Sequence, residues 1–320
     1  MIARRLVALG ALLLSGTVTA GEAPAAARLF TDAELVAQYG QAPSKFIQVD
    51  GVRLHYRDEG RGPALVLLNG HLGSLHMWEP WVARMRGRYR MIRLDFPPYG
   101  LSGPLPDGQY GSQRAAQLLA GFVDALGLRR VHLGGTSNGA LVAILYAIEH
   151  PQRVDRLVVS TLPTGRPPKR EPSAELVAAA QAQRAMAPVQ SREFFAAFLR
   201  DIAANDAIAD DATVERYWKL NNREGAAAAG ELYMQSQYRF WDSTDVPALY
   251  GRLRRPILLQ WGADGVVLPA SLAPGVAALL ANAPVTLVQY PGAGHLPMLE
   301  QPDATARDAT AFLKGRRLRP

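Results

Sequence analysis

The chain is 320 residues long, 48% hydrophobic and 20% charged, with a formal net charge of +7 and no cysteine. That length suits one large domain with an insertion, and the apolar content excludes wholesale disorder. The missing cysteine excludes disulfides, thiolate chemistry and cysteine-ligated zinc, and the basic residues, apart from Arg316, Arg317 and Arg319 in the tail, are scattered without interleaved aromatics, which argues against a nucleic-acid partner.

Met1–Arg5 carries two arginines, Leu6–Val18 is apolar apart from small residues, and Val18-Thr19-Ala20 offers small side chains at a cleavage position. This charged, apolar, small order predicts a secretory signal over residues 1–20, too short to span a bilayer comfortably. The protein is therefore expected to be exported, periplasmic or secreted, with no stable membrane span after cleavage. A retained N-terminal anchor is the alternative. Residues 21–45 read as a spacer and a short helix. Thr31-Asp32-Ala33-Glu34 matches a capping box, Phe30 and Leu35 can staple it, and Gly40 can end it, which places the helix over Asp32–Tyr39.

The chain then alternates strand and helix. Phe46–Tyr56 reads as a hairpin turned at Asp50-Gly51. Ala64–Leu68 is a short apolar run, as a buried strand requires. A helix is predicted over Met77–Met85, a strand over Arg90–Leu94, an amphipathic helix over Gln113–Leu126, a strand over Val131–Gly134, a helix over Asn138–Glu149 and a strand over Arg156–Ser160. After Thr161 the strands stop, and helical patches fill the next stretch. Alternation returns with a strand over Pro256–Trp261, a helix near Ser271–Ala281, a strand over Val285–Tyr290 and a last helix over Thr305–Lys314. Short links between alternating strands and helices imply an α/β fold with a mainly parallel sheet covered on both faces. Residues 46–162 and 248–320 are assigned to this core and residues 163–247 to an inserted helical cap.

Gly135-Thr136-Ser137-Asn138-Gly139 fits G-x-S-x-G, with an apolar strand before it and an amphipathic helix after it. The chemistry needs that context. A sharp strand-to-helix turn exposes the serine oxygen, the close backbone crossing requires glycine on both sides, and the helix N-terminus favours developing negative charge. Ser137 is the predicted nucleophile; a tight turn with Ser137 as a mere helix cap is the bland alternative.

On these residues the chain resembles the α/β-hydrolase superfamily, in its cap-bearing esterase, lipase and epoxide-hydrolase-like branch, from about Phe46 to Phe312. The resemblance implies an eight-stranded, mainly parallel sheet flanked by helices, and a base and an acid following the serine in that order. His295 in Tyr290-Pro291-Gly292-Ala293-Gly294-His295, directly after the last strand, matches the base. Asp264, after Leu258–Trp261, matches the acid that orients the imidazole; a turn aspartate before Gly265 is its bland reading. Asn69-Gly70-His71 is similar to the family's oxyanion loop, so the backbone N–H groups of His71 and Asn138 are expected to hold the oxyanion. Asn69 stands where the family has histidine and is expected to be structural, as are Asp95 and Ser102. His71 brings an imidazole that either meets substrate or faces solvent.

A serine at the elbow, where similar epoxide hydrolases and dehalogenases carry aspartate, implies attack on acyl carbonyls. The expected activity is cleavage of small-molecule carboxylic esters, or lactones or thioesters, through an acyl-serine, with no metal and no cofactor. C–C bond hydrolysis or acyl transfer on the same triad, and a non-catalytic ligand receptor on this scaffold, are the alternatives. Cap aromatics should shape the substrate site, with Met234 and Trp241 as its expected walls. With His295 as base, activity should fall on acidification through a pKa of about 6–7.

Overall fold

The computed structural model describes residues 28–318 except 187 and 317. The expected signal over 1–20, most of the spacer and part of the basic tail lie outside these residues. No helix among the described residues is long and apolar enough to cross a membrane.

The capping box at Thr31 forms as its residues dictate: Glu34 N–H donates to Thr31 Oγ1 at 3.2 Å, and Thr31 N–H to the Glu34 carboxylate at 2.8 Å. It opens α1 (Asp32–Tyr39). Eight strands follow: β1 (Ser44–Val49), β2 (Val52–Glu59), β3 (Ala64–Leu68), β4 (Arg90–Leu94), β5 (Val131–Thr136), β6 (Val154–Ser160), β7 (Ile257–Gly262) and β8 (Val285–Tyr290). They make one sheet in the order β1-β2-β4-β3-β5-β6-β7-β8, in which β2 alone runs against its neighbours. The strands β3, β5 and β7 are buried at every residue, as expected of the wholly apolar β3 and of central strands covered on both faces.

Between β3 and β4 a 3₁₀ turn (Leu75–Trp78) leads into α2 (Glu79–Met85). The single helix expected over Met77–Met85 thus starts later, because Pro80 fits only the first turn of an α-helix. The helix α3 (Ser112–Ala125) precedes β5, and α4 (Asn138–Glu149) leaves it. Among the described residues, five α-helices fill the interval from β6 to β7: α5 (Ala174–Ala182), α6 (Arg192–Ile202), α7 (Asp211–Asn221), α8 (Ala226–Ser243) and α9 (Val246–Tyr250). They form the helical insertion. After β7 come α10 (Ala273–Leu279), the short α11 (Pro297–Glu300) and α12 (Pro302–Leu313). The last helix starts at Pro302 rather than at Thr305, again with proline in its first turn.

Side-chain alternation along β3 divides the core. Val66 and Leu68 join the cluster under α3 and α4, whereas Leu65 and Leu67 join the one under α2 and α12, which continues into the α6 and α7 residues Phe195, Leu199 and Val214. The parallel strands all end at one edge, and the helical insertion covers it. That is where an open parallel sheet places its ligand crevice.

Candidate active site

The elbow after β5 is built by exclusion. A Cβ on Gly135 would stand 2.5 Å from Gly139 O, and one on Gly139 would stand 2.4 Å from Asn69 O. Strand, helix and oxyanion loop therefore approach at distances only glycine permits. Ser137 is held at φ 51° and ψ −123°, a strained conformation for a residue with a side chain, and its N–H is pinned to Ser160 O at 3.0 Å. Although it occupies the N-cap position of α4, its hydroxyl makes no capping hydrogen bond. The side chain is left free to face the cavity.

The loop after β3 closes against this elbow. A Cβ on Gly70 would meet Thr136 O at 3.3 Å and Ser137 Cβ at 3.4 Å. The buried Asn69 amide donates to Gly70 O (3.1 Å) and Gly73 O (2.8 Å), so it folds the loop, the structural part expected of it. No backbone acceptor outside α4 among the described residues takes the N–H of His71 or Asn138, and both residues line the same cavity as Ser137. The His71 ring is fixed by the Tyr99 hydroxyl, and burial pushes its pKa down to about 4, so it is neutral at pH 7. Asp95 lies deeper. Its carboxylate accepts from Leu75 N–H at 2.6 Å and Leu101 N–H at 3.0 Å and binds His55 Nδ1 at 2.7 Å. With Ser102, which donates to Asp95 O and accepts from His55 N–H, it fixes the loop after β4.

His295 follows β8 on the loop the sequence indicates and lines the cavity with Ser137; the two are not hydrogen-bonded to each other here. Its backbone is clamped from two sides. His295 N–H donates to Ile202 O, at the end of α6, at 2.9 Å. The Glu300 carboxylate accepts from Gly294 N–H (2.8 Å), Leu296 N–H (3.1 Å) and, across the interface, Ala204 N–H (2.7 Å). Burial lowers the His295 pKa to about 4, and the nearby Arg170 guanidinium adds to the effect. Arg170 lines the cavity and forms an ion pair with the buried Asp201.

Asp264 requires a correction. It is exposed, and its Oδ2 accepts from Gly292 N–H at 2.6 Å. No hydrogen bond or ion pair joins it to His295, whose Nδ1 is buried without a partner. The backbone N–H of Asp264 donates to Ala293 O at 3.0 Å. Asp264 therefore clasps the histidine loop from outside, the bland reading of a turn aspartate, instead of touching the ring. The turn directs position 264 outward, and spacing alone does not register that direction.

The cavity measures about 200 Å³ and is mostly apolar. Met234 and Trp241 line it, joined by Gln237 and Tyr238 from the same face of α8, a spacing of three, four and seven residues. Phe198 and Tyr217 of the insertion also reach it, whereas Phe195 and Tyr233 are buried in packing. Arg170 is a residue the sequence reading misses, and Glu300 is one whose place after His295 resembles the family's continuation but whose role the sequence does not show. Arg170 lies in a proline-flanked stretch with no motif, and the role of Glu300 appears only once α6 is docked on the histidine loop.

With this geometry the chain belongs to the alpha/beta hydrolase fold family, whose model matches residues 63–302. It is 37% identical, over 135 residues, to a 2-hydroxy-6-oxononadienedioate/2-hydroxy-6-oxononatrienedioate hydrolase of Burkholderia vietnamiensis, a match covering 39% of this chain and 47% of that protein. Against it and three similarly named relatives, the chain spans about half of the relative's length. A similarly named hydrolase of Comamonas testosteroni is 25% identical over 84% of this chain and 96% of its own. Among solved structures, a membrane phospholipase A, described as a bacterial virulence factor, superposes with a TM-score of 0.70 at 27% identity over 89% of this chain and 92% of its own.

Proposed function

We propose that this hydrolase cleaves carboxylic esters of hydrophobic acids or alcohols through an acyl-serine at Ser137. The observation that carries the reading is an uncapped serine, strained at the elbow, facing an apolar cavity that it shares with a buried histidine. In this scheme Ser137 Oγ attacks the ester carbonyl carbon while its proton passes to His295 Nε2. The carbonyl oxygen gains negative charge between the N–H groups of His71 and Asn138, each such donor being worth about 3 kcal/mol in the transition state. His295 then gives its proton to the departing alcohol. Water, deprotonated by His295, releases the acid and restores the serine. A fluorophosphonate probe tests the reading. Labelling of the wild type and none of Ser137→Ala supports it, and folded wild type that resists the probe would favour a non-catalytic receptor.

A second reading, C–C bond hydrolysis, draws on the names of the relatives from Burkholderia vietnamiensis and Comamonas testosteroni and on Arg170, a cation at the cavity wall suited to an acidic substrate. Turnover of a vinylogous 1,5-diketone carboxylate in preference to aryl esters would favour it. Export rests on the composition of residues 1–20, and mass spectrometry of the mature N-terminus checks it.

A further inference from the structure

A neutral imidazole that takes a proton at Nε2 must carry its own N–H at Nδ1. In His295, a residue only 7% exposed, Nδ1 is sealed from solvent and has no acceptor among the described residues. The charged groups packed around this loop are committed elsewhere. From the turn after β7, Asp264 binds Gly292 N–H. From α11, Glu300 holds three backbone N–H groups. From α6, Asp201 binds Arg170 and the N–H of Ser173. Arg170, ahead of α5, faces the imidazole as a cation and opposes its protonation.

The residue next to Asp264 points the other way. Gly265 is buried, its φ lies outside the left-handed region, and a Cβ on it would stand 3.4 Å from Gly262 O and 3.5 Å from the carbonyl carbon and oxygen of Gly294, the residue joined to His295. These are ordinary van der Waals separations, so a side chain there is tolerated and is directed at the histidine's own backbone. The turn has one outward position, which carries the carboxylate, and one inward position, which carries none.

We infer that Ser137 and His295 work as a dyad without a carboxylate partner, and that Gly265 occupies the inward position from which an aspartate would reach the imidazole. The proton still moves from Ser137 Oγ to His295 Nε2 and on to the leaving alcohol; what is missing is a fixed anion beside the imidazolium formed in between. The kinetic side of this inference rests on the ester reading, but the state of the ring does not.

The test combines titration with turnover. The ring proton of His295, assigned through His295→Asn, is followed by NMR across pH in the wild type, Asp264→Asn and Gly265→Asp. The dyad requires that Asp264→Asn leave the pKa within about 0.3 units and that aryl-ester kcat/KM fall less than about tenfold, where loss of an orienting aspartate costs about 10⁴. Gly265→Asp should raise the pKa by at least about one unit, as an adjacent carboxylate does, and shift the acid limb of the pH profile with it. A larger pKa change or a larger rate loss in Asp264→Asn would overturn the dyad. An unmoved pKa in folded Gly265→Asp would overturn the assignment of Gly265. If the wild type turns over no ester, the ester reading fails while the titration still decides the dyad.

Discussion

The two halves of the site are secured in different ways. The elbow is fixed from within by backbone contacts too close for any Cβ, all supplied by β3, β5 and α4 of the core. The histidine loop is fixed from outside. Glu300, Ile202 O and Asp264 hold it through hydrogen bonds, two of which reach the helical insertion. Ser137 is thus set by the core and the loop of His71 mainly so, with one bond from the insertion, Asn221 to Leu72 O at 2.8 Å, whereas the placement of His295 depends more heavily on how the insertion sits. Substitution of a crowded glycine on the first side should act through stability, and loss of the Glu300 clamp on the second through the placement of His295.

The sharpest break in this contrast is Gly139→Ala. Its Cβ would stand 2.4 Å from Asn69 O and 2.6 Å from Leu68 O, both backbone atoms that cannot swing aside. The expected cost is about 3 kcal/mol or more, seen as a lowered urea midpoint, because overpacking a close crossing forces the backbone apart. Gly265→Ala is its counterpart on the other side and should cost less than about 1 kcal/mol, since its Cβ meets only ordinary contacts. Equal losses from the two would erase the distinction.

Glu300→Ala comes next. It strips the acceptor from three N–H groups, those of Ala204, Gly294 and Leu296, and so loosens the histidine loop and the end of α6 together. With the carboxylate partly solvent-exposed, about 2 kcal/mol of stability is expected to go. A positioning role further demands a fall in kcat larger than any rise in KM, partly rescued by Glu300→Gln, which keeps one acceptor oxygen. A loss of stability with kcat intact would make Glu300 structural only.

The pH dependence sharpens the same division. His295 and His71 both have pKa values lowered by burial to about 4 from an unfolded value of 6.5. Between these limits the unfolded chain binds more protons than the folded one, so stability should decline as pH falls from about 6.5 towards 4 and this contribution should level off below. The acid limb of kcat/KM is expected near pH 4, displaced from the value of about 6–7 that an unperturbed histidine predicts. A limb at pH 6.5 would mean that the imidazole is better solvated, or better partnered, than its surroundings here allow.

The core was the legible part of the sequence because its signals are local. A wholly apolar run marks β3, mainly apolar runs mark β5 and β7, and two glycines flanking a serine between a strand and a helix mark the elbow. His295 could be placed because it follows the last strand in a glycine-rich loop. The direction of Asp264 was not legible, because Asp264 and Gly265 are neighbours in a turn where one position faces solvent and the next faces the histidine loop. The nearest carboxylate to the expected place attracted a role that its direction denies it. Arg170 was illegible because it meets the histidine loop only across the docked insertion, and the Glu300 clamp was illegible because its third partner, Ala204 N–H, comes from the end of α6 although the other two lie close by in sequence.

The smallest effect expected lies on the wall of the cavity. Met234, Gln237, Tyr238 and Trp241 form one face of α8, and Trp241, half-buried, also packs edge-on against Phe240 at 4.9 Å. Trp241→Ala removes both a wall and a packing partner, and the two consequences separate in the substrate profile. Enlarging an apolar pocket changes relative rates by about 1–3 kcal/mol per group accommodated, so the ratio of kcat/KM for long or bulky acyl chains to that for acetate should rise several-fold. If Trp241 merely braces α8, every ester should slow by the same factor and the ratio should stay fixed. Because the elbow at Ser137 is held by glycine contacts and the Ser160 carbonyl of the core, fluorophosphonate labelling, which needs little of the cavity, should persist in this variant whichever result is found, and it therefore serves as the internal check that the elbow has not moved.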